Sequence, residues 1–115
     1  LWTYGVEEGK ISRSRLVDLY ATSPAKVNGL DKKGQLAPGF DADIVIFDPE
    51  YRGTISYKTN LEGVDYSPFE GFEQKGRPET VFLRGKKIVE DAQYIGAKGD
   101  GQLIHAKPYG SSYQW

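Results

Sequence analysis

The sequence predicts a mainly β domain that opens with two short helices. Three observations carry this: helix caps and stops crowd in before Leu30, four large apolar residues run together from Ile44 to Phe47, and two β-branched runs flank the turn Arg84-Gly85-Lys86. At 115 residues the chain has the length of one domain, enough to bury a modest single core.

Ile11 to Tyr20 reads as the first helix, with Ser12 as its N-cap and Ile11 spaced to staple against Leu16. Leu16, Val17 and Tyr20 then share one face, which should be buried. In the second helix, Ser23 to Gly29, Ser23 can cap, Pro24 suits the first helical position and Gly29 can take the left-handed stop. Turn signals at Asp31-Lys-Lys-Gly34 and Ala37-Pro-Gly39 lead into a strand over Ala42–Phe47, ended by Asp48-Pro49. Four apolar residues in a row predict burial on both faces.

Thr54 to Lys58 alternates like a half-exposed strand, and Thr80–Leu83 with Lys87–Val89 should form a hairpin. Between them, Asn60 to Pro78 is rich in glycine, proline and aromatics, and reads as an ordered loop pinned by Tyr66, Phe69 and Phe72. The glycine-rich end, Gly96 to Trp115, reads as an apolar tail that packs on a neighbour.

Fifteen Lys and Arg nearly balance sixteen Asp and Glu and are scattered along the chain, which argues against a nucleic-acid partner. The longest apolar run falls far short of the roughly 18 to 20 residues a membrane helix needs, so no membrane role is expected. No cysteine is present, which removes disulfides and thiolate chemistry and makes the cytoplasm the default compartment. The chain also has no methionine and opens on Leu1-Trp2-Thr3, and is read as a piece of a longer protein.

No candidate catalytic or metal site emerges from the residue types alone. Asp41, Asp43 and Asp48 flank the apolar run, but the run leaves no loop to wrap a cation; the better reading is that Asp41 and Asp43 satisfy turn amides or basic neighbours at the strand mouth and that Asp48-Pro49 ends the strand. His105 is the single histidine, too few for a zinc ligand set, and reads as a surface or interface residue; a Ser–His pair is possible but unsupported. Gly96-Ala-Lys-Gly-Asp-Gly101 lacks the Gly-Lys-Ser/Thr ending of a phosphate loop and reads as a flexible turn, and Lys26 as a solvated or snorkelling charge.

The order of motifs says more than any one of them. Gly9-Lys-Ile-Ser12, Leu16-Val-Asp-Leu19, Ser23-Pro-Ala-Lys-Val-Asn-Gly-Leu30, Lys33-Gly-Gln-Leu-Ala-Pro-Gly39 and Asp41-Ala-Asp-Ile-Val-Ile-Phe-Asp-Pro49 together resemble the C-terminal part of an amidohydrolase-superfamily enzyme. Val64-Asp-Tyr-Ser-Pro-Phe-Glu-Gly71, Gly76-Arg-Pro-Glu-Thr-Val81 and Arg84-Gly-Lys-Lys-Ile-Val89 resemble its dihydropyrimidinase and hydantoinase branch.

The resemblance implies a parent with a (β/α)8 barrel and a β-sandwich. Residues 1–30 would be terminal helices closing the barrel, 31–95 an incomplete β-sandwich, and 96–115 a tail at a subunit contact, with Tyr109, Tyr113 and Trp115 as interface anchors. The parent would be a homotetramer that binds a small cyclic amide and two divalent metals, zinc by expectation, with a carboxylated lysine. Metal-bound hydroxide would open a hydantoin or dihydropyrimidine to an N-carbamoyl amino acid. The family's ligands precede the matched region, so no catalytic, cofactor or metal residue is expected in this piece, and the piece alone should be inactive. Two other readings stand beside this one: a non-catalytic relative of the collapsin response mediator type, and a self-contained β-rich binding module.

Overall fold

The computed structural model describes residues 1–61 and 63–108, so Tyr109, Tyr113 and Trp115 lie outside the described residues. A π-helical turn, Trp2–Val6, opens the chain, followed by α1 (Arg13–Val17) and α2 (Ser23–Val27). Four strands follow, β1 (Ile44–Thr54), β2 (Glu73–Leu83), β3 (Lys86–Glu90) and β4 (Gln93–Tyr94), in one antiparallel sheet of order β1-β2-β3-β4.

Ser12 caps α1 as expected: its hydroxyl accepts the Arg15 N–H at 3.1 Å. The second cap is not where the sequence places it. Asp18–Thr22 is a π-helical turn joining α1 to α2 without a break, and Ser23, itself helical, donates its hydroxyl to Asp18 at 2.8 Å. Pro24 explains this, because it has no N–H to give the carbonyl four residues earlier; the widened turn instead lets the Ser23 N–H reach the Asp18 carbonyl. Gly29 stops the helix in the left-handed region at φ 62°, with Gly29 N–H on the Lys26 carbonyl and Leu30 N–H on the Ala25 carbonyl.

The β1 strand runs past its expected end. Pro49 is accommodated because the register slips between Asp48 and Arg52, a bulge in which proline's missing donor costs no ladder bond. Beyond Thr54 the expected second strand does not form. Ile55 still pairs with the backbone of Gly71 and Phe72, but the Glu70 carboxylate accepts the Ser56 hydroxyl at 2.8 Å and the Tyr57 N–H at 2.7 Å, drawing the chain into a turn. The loop's aromatic pinning holds for Phe69 and Phe72, whose rings meet edge to face at 5.9 Å, with Tyr4 against Phe72 at 6.1 Å. All three side chains are exposed, Tyr66 the most at 65%.

The hairpin stands where expected, on Arg84 and Gly85 at φ 47° and 81°, the doubly left-handed turn that suits strand twist. A second such turn joins β3 to β4 with non-glycine residues, Asp91 (φ 49°) and Ala92 (φ 59°). Ala92→Gly is therefore expected to raise stability by about 0.5–1 kcal/mol, relief of the left-handed penalty exceeding the added chain entropy. Thermal denaturation of the two proteins checks it; a lower midpoint for the glycine variant contradicts the turn geometry.

Burial is thin. Ala25 and Thr80 are buried, but among the described residues no large side chain is fully so. The helix face expected to be covered stands open at Val17 and Tyr20, 57% and 67% exposed, and on β1 Val45 is 56% exposed. Among the described residues the sheet is a single layer, with one end closed by the Trp2–Val6 turn: Thr3 accepts the Lys75 N–H at 3.0 Å, and Trp2 lies on the Phe47 ring at 4.5 Å.

Candidate functional site

A cluster of charges sits at the mouth of β1. The helical corner builds it: the Thr22 hydroxyl donates to the Gly34 carbonyl at 2.8 Å, and Gly34, at φ 84°, packs so closely on Ala21 and Ala25 that a Cβ there would come within 2.7 Å of each. This holds the turn so that Lys33 points across to the strand. Its ammonium lies 2.9 Å from the Asp41 carboxylate and also pairs with Asp43, while the Asp41 N–H donates to the Lys32 carbonyl at 2.8 Å.

Asp43 faces two ways. Its second oxygen accepts the Arg84 N–H at 2.8 Å, and beside it the Ala42 carbonyl accepts the Gly85 N–H at 2.9 Å. One carboxylate thus joins the loop before β1 to the turn of the β2–β3 hairpin.

Burial raises the Asp43 carboxyl, but the hydrogen bonds from Lys33 and Arg84 outweigh it and hold the group below the usual carboxylate range. Burial likewise lowers Lys33, and its bonds to Asp43 and Asp41 outweigh that, leaving its pKa raised. An ammonium held more firmly protonated than usual is a poor nucleophile and a poor base near neutral pH. The cluster fastens backbone together; it is not arranged for proton transfer.

The other candidates are dispersed. Asp48 accepts the Glu50 N–H at 2.9 Å and closes the bulge around Pro49. Lys26 is half-buried in the last turn of α2 and is engaged in interactions there. His105 is exposed and shares the wall of a cavity of about 210 Å³ with Lys33 and Asp41; among the described residues no serine hydroxyl hydrogen-bonds to it. The Gly96–Gly101 stretch is a defined turn, with the Asp100 carboxylate accepting the Ala97 N–H at 2.7 Å and the Lys86 ammonium at 2.5 Å. Among the described residues no group of three His, Cys, Asp or Glu is placed to hold a metal ion, so they do not fit a binuclear metal centre.

Sequence reasoning expects a turn amide or a basic neighbour for Asp41 and Asp43, and the structure supplies one of each, but it did not name Lys33 or the Arg84 amide. Lys33 left a faint signal, a lysine in a turn shortly before two aspartates. The Arg84 N–H left none, since any residue but proline would supply it.

Comparison with known proteins identifies the class to which this scaffold belongs. The amidohydrolase family model matches residues 1–88, and the chain belongs to that family. Within it, the chain is 48% identical over 106 residues to a D-hydantoinase of Rhizobium radiobacter, covering 91% of this chain and 23% of the relative. It is 44% identical over 112 residues to a D-hydantoinase of Geobacillus stearothermophilus, covering 96% of this chain and 24% of the relative. The solved structure of D-hydantoinase (dihydropyrimidinase) from Thermus sp. superposes with a TM-score of 0.90 at 49% identity, over 95% of this chain and 24% of that one.

The chain therefore spans about a quarter of the length of the relatives it matches. The expected resemblance to the hydantoinase and dihydropyrimidinase branch is borne out, and these relatives do not favour the scaffold reading. No helix among the described residues is long and apolar enough to cross a membrane.

Proposed function

We propose that this chain is the C-terminal structural region of a cyclic amidase that opens hydantoins or dihydropyrimidines to N-carbamoyl amino acids. The observation that carries this reading is the 48% identity to a D-hydantoinase across nearly the whole chain. The sheet would be one layer of a β-sandwich spanning residues 31–95, the helical corner 1–30 would lean on a barrel, and 96–115 would reach a subunit contact in a homotetramer. The parent would work in the cytoplasm.

Ring opening adds one water across the amide bond, and two divalent metals, zinc by preference, with a carboxylated lysine would supply that chemistry in the rest of the parent. The described residues do not fit such a centre, and on this reading they contribute no step of their own. Its part is support: the Lys33–Asp43–Arg84 clamp fixes the strand mouth against the hairpin.

The test compares the 115-residue chain with the full-length protein, following loss of hydantoin and dihydrouracil and gain of the carbamoyl product. Turnover by the full-length protein and none by the chain is expected. Turnover by the chain alone, or none by the metal-loaded full-length protein, overturns the proposal. A further prediction follows from the open apolar surface at Val17, Tyr20 and Val45: the isolated chain should sediment as more than a monomer or bind a hydrophobic dye. A strictly monomeric chain that leaves the dye dark contradicts it.

A further inference from the structure

The segment after β4 turns back over the molecule and is fastened at two places. At one, the Asp100 carboxylate takes the Lys86 ammonium and the Ala97 N–H, the Asp100 N–H returns to the Ala97 carbonyl at 3.1 Å, and the Arg84 guanidinium donates to the Asp100 carbonyl. At the other, the Lys107 N–H donates to the Gly29 carbonyl at 3.0 Å and its ammonium pairs with Asp31. Between the two, Gln102 to Ala106 are exposed, so no buried side chain holds the span down.

Gly29 has two separate reasons to be glycine. Its φ of 62° ends α2, and its missing Cβ is the seat of the returning chain, since a Cβ there would lie 2.0 Å from the Lys107 carbonyl oxygen. Under the span, Ile104 and His105 form one wall of the cavity whose other walls are Leu30 to Lys33 and Asp41.

We propose that residues 100–107 are a strap, hinged at the Asp100 clasp, that opens and closes on the Gly29 notch and so covers and uncovers the cavity beside Lys33. The clasp combines a four-residue turn, Ala97 to Asp100, with two cations of the adjacent β2–β3 hairpin that lie 14 and 16 residues back, so it holds the strap's near end to the sheet by several bonds at once. The notch joins residues far apart in sequence with an exposed span between them, the kind of contact that opens at low free energy. The inference does not depend on the chemistry of the parent; it requires that the subunit contact proposed for 96–115 be made beyond Lys107, leaving the strap itself uncovered.

Hydrogen exchange read by mass spectrometry and NMR on the full-length protein tests it. In the unaltered protein the Lys107 amide should exchange at least tenfold faster than the Ala97 amide; equal protection of the two overturns the hinge. In Gly29→Asn, where asparagine tolerates the left-handed turn but its Cβ fills the notch, exchange across 101–107 should rise tenfold or more with α2 unchanged. Gly9→Asn is the control, because Gly9 is also left-handed, at φ 71°, but faces open space, and it should leave the strap as it was. Equal exchange over 101–107 in Gly29→Asn and the unaltered protein overturns the notch.

Discussion

Gly76→Ala is expected to be among the most damaging single-methyl additions in the described chain, costing about 3 kcal/mol. Two penalties meet there: Gly76 sits at φ 70° in the bulge of β2, and its Cβ would come within 2.6 Å of the Phe47 ring and 3.0 Å of the Trp2 indole nitrogen. A left-handed alanine costs about 1–2 kcal/mol, and forcing apart a packed aromatic pair adds about 1–3 kcal/mol. The Trp2–Phe47 pair cannot retreat easily, since Thr3 ties the same helical turn to the Lys75 backbone through both its donor and its acceptor.

Gly71→Ala separates the two penalties. Gly71 has a similar φ of 81° but nothing within 4 Å of its Cβ, so it should lose only the backbone part. Calorimetric unfolding of the full-length protein carrying each change decides it. If the two midpoints fall equally, the Trp2–Phe47 contact is not holding this end of the sheet.

What the sequence makes legible is local chemistry. Ser12 caps, Gly29 stops a helix and Arg84-Gly85 turns a hairpin because each signal lies within four residues of what it governs. The misreadings share the opposite cause. Glu73 to Pro78 looks like loop, with its glycine, proline and charges, yet it is strand because Arg52 to Thr54 pair with it across the sheet. Thr54 to Lys58 alternates like a strand, yet Glu70, distant in sequence, supplies a carboxylate that bends it. Pro24 does stand in the first turn of α2, as its sequence suggests, but a π-turn joins that helix to α1, so Ser23 is helical rather than a cap, a choice between two local solutions that composition does not decide. The apolar stretch at Ile44 to Phe47 implied cover on both faces, and the cover is not supplied by the described residues: Val45 and Ile46 remain exposed.

The strand-mouth cluster was legible by half. Asp41 and Asp43 read as capping carboxylates from their place before an apolar run, and the geometry gives them that role. Their partners could not be named, because one is a backbone amide 41 residues from Asp43 and the other a lysine whose aim depends on how Gly34 packs on the helical corner.

That arrangement sets the second large effect. Asp43→Ala should cost about 2–3 kcal/mol near neutral pH, mostly from the stranded, part-buried Arg84 N–H, with at most about 1 kcal/mol from the solvent-screened Lys33 pair. Asp43→Asn keeps an acceptor for the Arg84 N–H and loses only the charge, so it should cost less than about 1 kcal/mol. The pH dependence follows from the two shifts. Asp43 is held below its ordinary pKa, so its contribution is present above about pH 4 and is lost as the pH falls through the lower folded value. Lys33 is raised, so its contribution is present below about pH 10 and is lost as the pH climbs through the higher folded value. The stability gap between the unaltered protein and Asp43→Ala should therefore be level across neutrality and narrow at both extremes. Denaturant titrations at acid, neutral and alkaline pH measure it, and a gap that stays constant in acid would mean that Asp43 is not the ionised link between the strand mouth and the hairpin.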